Sequence, residues 1–155
     1  MSFHSYSRCW LHLVWATKNR EPVLNSEART KLSAHLHEYA KDKDIYMKIN
    51  FANPDHVHSL IDLPTNLSIE NAVKLFKEES SYWVNQNRVI PAQFRWGRRF
   101  GAFSVSQSRV GAVCRYIAGQ ERHHRGKAFE GELQEFVMSY GLIWREEKDW
   151  TEDGE

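Results

Sequence analysis

The chain has 155 residues, 41% of them apolar and 26% charged, which is about one domain's length with enough apolar material for a core and excludes disorder throughout. No run approaches the ~20 apolar residues of a membrane span; the best is the strand-length stretch Trp10 to Ala16, and Met1-Ser2-Phe3-His4 has neither the basic nor the apolar region of a signal peptide. Two cysteines, Cys9 and Cys114, make no disulfide framework and no Cys-x-x-Cys zinc site, so residues 1–155 read as one cytoplasmic domain.

Cys9 to Thr17 reads as a strand, with Trp10, His12, Val14 and Ala16 on one face and Leu11, Leu13 and Trp15 on the other. After the turn Lys18 to Pro22, a helix is predicted over Ser26 to Lys43, because Ala28, Leu32, Leu36, Tyr39 and Ala40 recur at helical spacing and Asn25 or Ser26 can cap it. Asp44 to Phe51 and His56 to Leu63 read as a strand pair about the turn Asn53-Pro54-Asp55. Ser68 caps a second amphipathic helix to about Asn87, with Ile69, Ala72, Val73, Phe76, Ser80 and Trp83 on its apolar stripe.

Pro91 breaks the chain, a loop punctuated by Gly97 and Gly101 follows, and Phe103 to Ser106 is the expected fourth strand. A third helix is expected from Ser106 or Ser108 to about His123, then a further one over Phe129 to Gly141 and an extended piece around Leu142 to Trp144. The first six elements are those of an α+β, ferredoxin-like or RRM-like domain: an antiparallel sheet with helices packed on one face. Fold alone assigns no chemistry.

The net charge of +1 hides a segregation. Residues 1–87 are balanced, residues 88–127 carry nine Lys and Arg against the single acid Glu121, and the tail, about 128–155, carries nine acids against two basic residues. Eight of the nine basic residues are Arg, interleaved with Phe94, Trp96, Phe100, Phe103 and Tyr116. Arg forks grip phosphates bidentately and aromatic faces stack unpaired bases, so this segment reads as a nucleic-acid surface that the acidic tail covers or tunes. Arg95, Arg98, Arg99, Arg109, Arg115 and Arg122 are its candidate DNA contacts.

His56-Val57-His58 carries the chemistry. Residues i and i+2 of a strand share a face, so both imidazoles point at one spot while Val57 points away. Two convergent imidazoles hold a divalent ion when a third ligand arrives from elsewhere. On the third helix, Val110, Val113, Cys114 and Ile117 form a stripe for the sheet, and Tyr116 and Gln120, at i and i+4, lie together beside it. A Gln beside a Tyr offers a carbonyl oxygen to a metal.

With these residues in hand, the chain resembles a known family. Asn53-Pro54-Asp55-His56-Val57-His58, Gly101-Ala102-Phe103-Ser104-Val105-Ser106 and Tyr116-Ile117-Ala118-Gly119-Gln120, followed by His123-His124, are similar to the signature stretches of the IS200/IS605-type transposases. These are the single-tyrosine members of the HUH endonuclease superfamily and include the REP-associated tyrosine transposases. The similarity runs in order from about Cys9 to Trp150.

The resemblance implies that His56, His58 and Gln120 hold a divalent ion, Mg²⁺ or Mn²⁺. It implies that Tyr116 attacks a phosphodiester of single-stranded DNA, leaving a 5′-phosphotyrosine link and a free 3′-hydroxyl that can reverse the step at a new junction. It also implies recognition of DNA hairpins and a homodimer in which the tyrosine helix of one subunit completes the His-His site of the other. The chemistry is sound without the name: a phenol with a pKa near ~10 is a poor nucleophile unaided, and a divalent ion polarises the phosphate. Asp55, just before the pair, is expected to orient an imidazole.

Gly119 stands where the family commonly has Asn, and Phe100 where Tyr is expected. The alternative of another class is a non-catalytic RRM-like nucleic-acid-binding protein. A host-domesticated nuclease that processes palindromes would keep the same chemistry. A relaxase fits less well, since relaxases place the tyrosine ahead of the histidines and only Tyr6 lies upstream of the first strand. His123 and His124 are expected at a helix C-terminus.

Overall fold

The computed structural model describes residues 5–120 and 129–144. β1 (Trp10–Thr17) is followed by a single 3₁₀ turn, Lys18–Arg20, in which Asn19 and Arg20 take left-handed backbone angles (φ 57° and 54°). α1 (Ser26–Asp42) starts at Asn25, whose side chain accepts the Ala28 N–H at 2.8 Å and so satisfies one of the helix's orphan donors. β2 (Tyr46–Ala52) and β3 (His56–Asp62) pair antiparallel across the expected Asn53-Pro54-Asp55 turn, which the Asn53 N–H closes on the His56 carbonyl at 2.7 Å. α2 (Ile69–Gln86) is capped by Ser68, whose Oγ accepts from the Asn71 N–H at 3.0 Å.

The sequence predicts the fourth strand over Phe103 to Ser106 after a glycine loop; β4 instead runs over Trp96–Val105, straight through both glycines. It pairs antiparallel with β1 from Trp10↔Val105 to Thr17↔Trp96, with a register shift between Trp15 and Thr17. Close approach explains Gly101, where a Cβ would lie only 2.9 Å from Cε2 of Phe103; at Gly97 a Cβ would make an ordinary contact, 3.4 Å from the Ala16 carbonyl oxygen of the neighbouring strand.

The third helix also starts later than expected: Gln107–Arg109 is a 3₁₀ turn, and α3 (Val110–Ala118) follows it. Gln120 lies just beyond α3, and Arg122, His123 and His124 lie outside the described residues. α4 (Phe129–Ser139) confirms the expected last helix, and residues 142–144 beyond it have no regular structure. Among the described residues no helix is long and apolar enough to cross a membrane.

The sheet is antiparallel throughout with order β2-β3-β1-β4, so the strand carrying His56 and His58 sits beside central β1. Strand alternation divides the side chains between two layers. Leu11, Leu13, Trp15, Val57 and Ile61 join Leu32 and Leu36 of α1 and Phe76 of α2 in the main core. Trp15 stacks on Phe76 (6.2 Å, 12°) and meets the edge of Trp96 (6.0 Å, 84°). Each Leu or Phe fully buried here contributes about 1.5–3 kcal/mol. On the opposite face Trp10 and Leu60 pack with Val110 and Ile117 of α3, and Val14 and Phe103 pack with Phe129, Leu133 and Val137 of α4. The fold is the expected α+β, ferredoxin-like one, with α3 and α4 covering the face that carries the histidines.

Candidate active site

Because β3 alternates, Val57 enters the main core while His56 and His58 turn to the α3/α4 face, and both are buried. His56 Nδ1 meets the Asp55 carboxylate at 2.7 Å, so the expected orienting contact is present. A neutral His56 donates from Nδ1 there, which leaves the Nε2 lone pair on the inner side. His56 Nε2 and His58 Nε2 both face one oxygen, Oε1 of Glu132, at 3.6 and 3.3 Å. One donor atom from each of His56, His58 and Glu132 lies within 4.8 Å of the other two, and all three residues are buried.

Glu132 is not among the residues that the sequence motifs single out, since composition assigns the acidic tail only to covering or tuning the basic surface. The signal was present: Phe129, Glu132, Leu133 and Phe136 recur at helical spacing, so the carboxylate lies on the apolar stripe of α4 rather than on its solvent face. A buried carboxylate without partners is costly, and here it is held by the imidazoles and by Gln120, whose Nε2 donates to Glu132 Oε2 at 3.1 Å. Gln120 is fully buried, and its Oε1 accepts from Asn53 Nδ2 at 3.3 Å. The expected ligand Gln120 is therefore beside the two histidines, one hydrogen bond from the carboxylate.

Tyr116 approaches from α3 of the same chain. Its ring stands edge-on to His58 (5.7 Å between centroids, 81°) and to His12 (6.2 Å, 69°), with Phe136 of α4 5.4 Å away on another side. The Val110, Val113, Cys114 and Ile117 stripe packs on the sheet as its spacing requires, and that docking brings the phenol over β3.

Three titrating groups of the site are shifted. Burial works to lower the His56 pKa, but hydrogen bonds to Asp55 and Glu132 and the charges of both outweigh it, so the imidazole is held above its ordinary 6.5. Burial works to raise the Glu132 carboxyl, and its contacts with His56 and His58 overcome this and bring it down to about 2. His12 is pushed down to about 3, first by burial and then by the charge of His58, against an opposing pull from Glu132. The centre therefore sets a charged carboxylate against an imidazole that keeps its proton more readily than a free one, with His12 neutral behind them.

The donor chemistry fits a divalent ion. Two imidazole nitrogens and a carboxylate oxygen, with an amide next to them, are ligands that first-row divalent ions accept, and the carboxylate supplies the negative charge that two imidazoles and an amide lack. Asp55 behind His56 is the usual partner of a ligating imidazole.

The arginines are distributed more widely. Arg95, Arg98, Arg99, Arg109 and Arg115 are all exposed. Neighbours on a strand point to opposite faces, and of the adjacent pair Arg99 lines a pocket on the active face together with Thr17, Asn19, Arg20, Gly101 and Phe129. Phe129 in turn stacks on His56 at 4.1 Å. The pocket thus opens beside the histidines.

The model of a protein family described as "Transposase IS200 like" matches residues 5–120. Among solved structures the chain is similar to a candidate transposase of Deinococcus radiodurans R1, with 24% identity and a TM-score of 0.60 over 77% of this chain and 96% of that one. It is also similar to a REP-associated tyrosine transposase bound to a REP hairpin, with 15% identity and a TM-score of 0.56 over 99% of this chain and 92% of that one. No curated protein matches the chain.

Proposed function

The chain belongs to the IS200-like transposase family, and we propose that it cleaves and rejoins single-stranded DNA through a covalent tyrosine intermediate. The observation that carries this reading is the Tyr116 ring standing 5.7 Å from the ring of His58, whose Nε2 faces the same Glu132 oxygen as that of His56. A nucleophile and a metal-capable donor set on unrelated elements meet at one point of one chain.

In the proposed reaction the Tyr116 Oη attacks the scissile phosphorus, the bond from phosphorus to the 3′ oxygen breaks, and that oxygen leaves as a 3′-hydroxyl. The phenol proton is released, and the phosphate stays on the tyrosine as a 5′-phosphodiester. The reverse attack by a new 3′-hydroxyl restores the DNA backbone without a nucleotide cofactor. His56 and His58, with Glu132 or Gln120, would hold the divalent ion, Mg²⁺ or Mn²⁺. When bound, that ion supplies polarisation of the phosphate and stabilises charge on the leaving oxygen, an effect worth several kcal/mol. Asp55 fixes the ring of His56, and α4 with Phe129 and Phe136 keeps water from the imidazoles.

Arg99, beside the pocket, is proposed to contact the strand near the scissile phosphate, with Arg95, Arg98, Arg109, Arg115 and Arg122 extending the surface for a single-stranded or hairpin DNA. The similarity to a protein bound to a REP hairpin supports the hairpin substrate. The proximity of Tyr116 and His58 within one chain supports a site completed in cis. A homodimer is proposed for holding two DNA ends, and residues 1–155 are proposed to form one cytoplasmic domain.

The test is incubation of the protein with a single-stranded oligonucleotide that carries a hairpin and flanking sequence, with Mn²⁺, followed by denaturing electrophoresis. The expected result is a protein–DNA adduct absent from Tyr116→Phe and from His58→Ala. An adduct of equal yield in Tyr116→Phe would refute the assignment. Tight binding with no adduct under any divalent ion would leave a DNA-binding module in its place.

A further inference from the structure

His12 has no role in the reaction just described, yet it is 2% exposed and makes one polar contact that bears directly on the site: its Nε2 lies 2.8 Å from Nδ1 of His58. Its other neighbours are aromatic edges, with Phe136 at 5.0 Å, Phe103 at 6.3 Å and Tyr116 at 6.2 Å between ring centroids. The pairing register explains the contact. Val14, not His12, stands opposite His58, so His12 reaches its partner along the diagonal of the β1–β3 pair on a shared face.

One hydrogen bond of this length between two neutral imidazoles holds one proton, and the side on which that proton sits decides what His58 presents to the site. With the proton on His58 Nδ1, donated to His12 Nε2, the Nε2 lone pair of His58 is free to ligate. With the proton on His12 Nε2, His58 must carry its own proton on Nε2, which then donates to Glu132 Oε1 at 3.3 Å and occupies the ligating position. The interchange is balanced: the proton leaving His58 Nε2 is matched by one taken up on His12 Nδ1, while the shared proton crosses from His12 Nε2 to His58 Nδ1.

We propose that His12 is a positioning residue for the metal site, the hydrogen-bond acceptor that holds His58 in the tautomer whose Nε2 ligates the ion. It does for His58 what Asp55 does for His56, with a neutral acceptor in place of a charged one. This rests on the reading of His56 and His58 as metal-holding residues. The partners behind ligating imidazoles are commonly worth about 10–100-fold in metal affinity.

The experiment is calorimetric titration of the full chain with Mn²⁺ alone, for the parent, His12→Leu, His12→Gln and the double variant His56→Ala/His58→Ala, each with its melting temperature. A glutamine carbonyl at this position still accepts from His58 Nδ1, whereas leucine cannot. The expected result is Mn²⁺ affinity about 10–100-fold weaker in His12→Leu and within about threefold of the parent in His12→Gln. Loss of binding in the double variant with unchanged affinity in His12→Leu overturns the role of His12 alone. A parent that binds no Mn²⁺, or binds it equally in the double variant, overturns the metal site itself. If His12→Leu does not fold, the decisive measurement is nitrogen-15 NMR of the histidine rings in the Zn²⁺-loaded parent. A coupling across the N–H···N bond with the proton on His58 Nδ1 supports the proposal, and a proton on His12 Nε2 overturns it.

Discussion

Replacing Glu132 by Gln removes a charge from the centre of the site while keeping the shape of the side chain. The parent carboxyl titrates at about 2 rather than 4.5 because the imidazoles of His56 and His58 hold it charged despite burial. Its side chain is only 7% exposed, so solvent screens little of this. The gap from 4.5 to about 2 corresponds to roughly 3 kcal/mol of folding stability at neutral pH. An independent scale agrees, since removing one partner of a buried pair costs about 3–5 kcal/mol. The sign follows from the depressed pKa. The contribution is complete above 4.5 and is lost as the pH falls towards 2, because the unfolded chain binds the proton first. Urea unfolding of the metal-free parent and of Glu132→Gln is therefore expected to differ by about 3 kcal/mol near pH 7 and by roughly half of that near pH 3. His56, whose pKa is raised by the same contact, changes in the opposite direction, and its imidazolium is expected to become easier to deprotonate in the variant. A variant within about 0.5 kcal/mol of the parent at neutral pH, or a difference that does not shrink in acid, would refute this account of the site's electrostatics.

Burial on α2 brings the Lys77 ammonium down to about 8 from 10.5, so Lys77→Met should stabilise the protein at neutral pH; the full gap corresponds to roughly 3 kcal/mol, and partial exposure reduces it to about 1–2 kcal/mol. The parent's handicap is present below 8 and relieved as the pH rises to 10.5, so the gain in urea unfolding should vanish in strong alkali. Gly101→Ala puts a Cβ 2.9 Å from the ring of Phe103, a buried side chain packed against His12, Phe136 and Tyr140. It should cost about 1–3 kcal/mol of stability and also weaken Mn²⁺ binding, and a variant with parental melting temperature and affinity would argue against coupling between this packing and the site.

What could be read from the chain and what could not divide by range. Caps and stripes need only residues within one turn of each other, so Asn25, Ser68 and the Val110–Ile117 stripe were legible. The period of a strand put His56 and His58 on one face, and the i, i+4 spacing put Tyr116 with Gln120. Legibility failed where the reason for a residue lies on another element. Gly97 and Gly101 look like loop punctuation until β1 is placed beside them as a pairing strand, and Gly101 has no room for a side chain because His12 of β1 and Phe136 of α4 pack on the Phe103 ring that lies against it. Left-handed Arg20, which lines the Arg99 pocket beside Asn19, carries no composition signal either, whereas Asn19 is of a type that tolerates such angles.

Alternation, helical spacing and the family motifs thus determined from sequence alone the order of the elements, the paired imidazoles and the candidate nucleophile. Only the tertiary structure decided that Glu132 of the acidic tail faces those imidazoles, that His12 stands behind His58, and that Tyr116 meets them within one chain. Each of these is a contact between residues far apart in the chain, 46 for His12 and His58 and 74 for His58 and Glu132. No local pattern encodes such a contact, because the burial of two separate apolar faces on one sheet is what brings its members together.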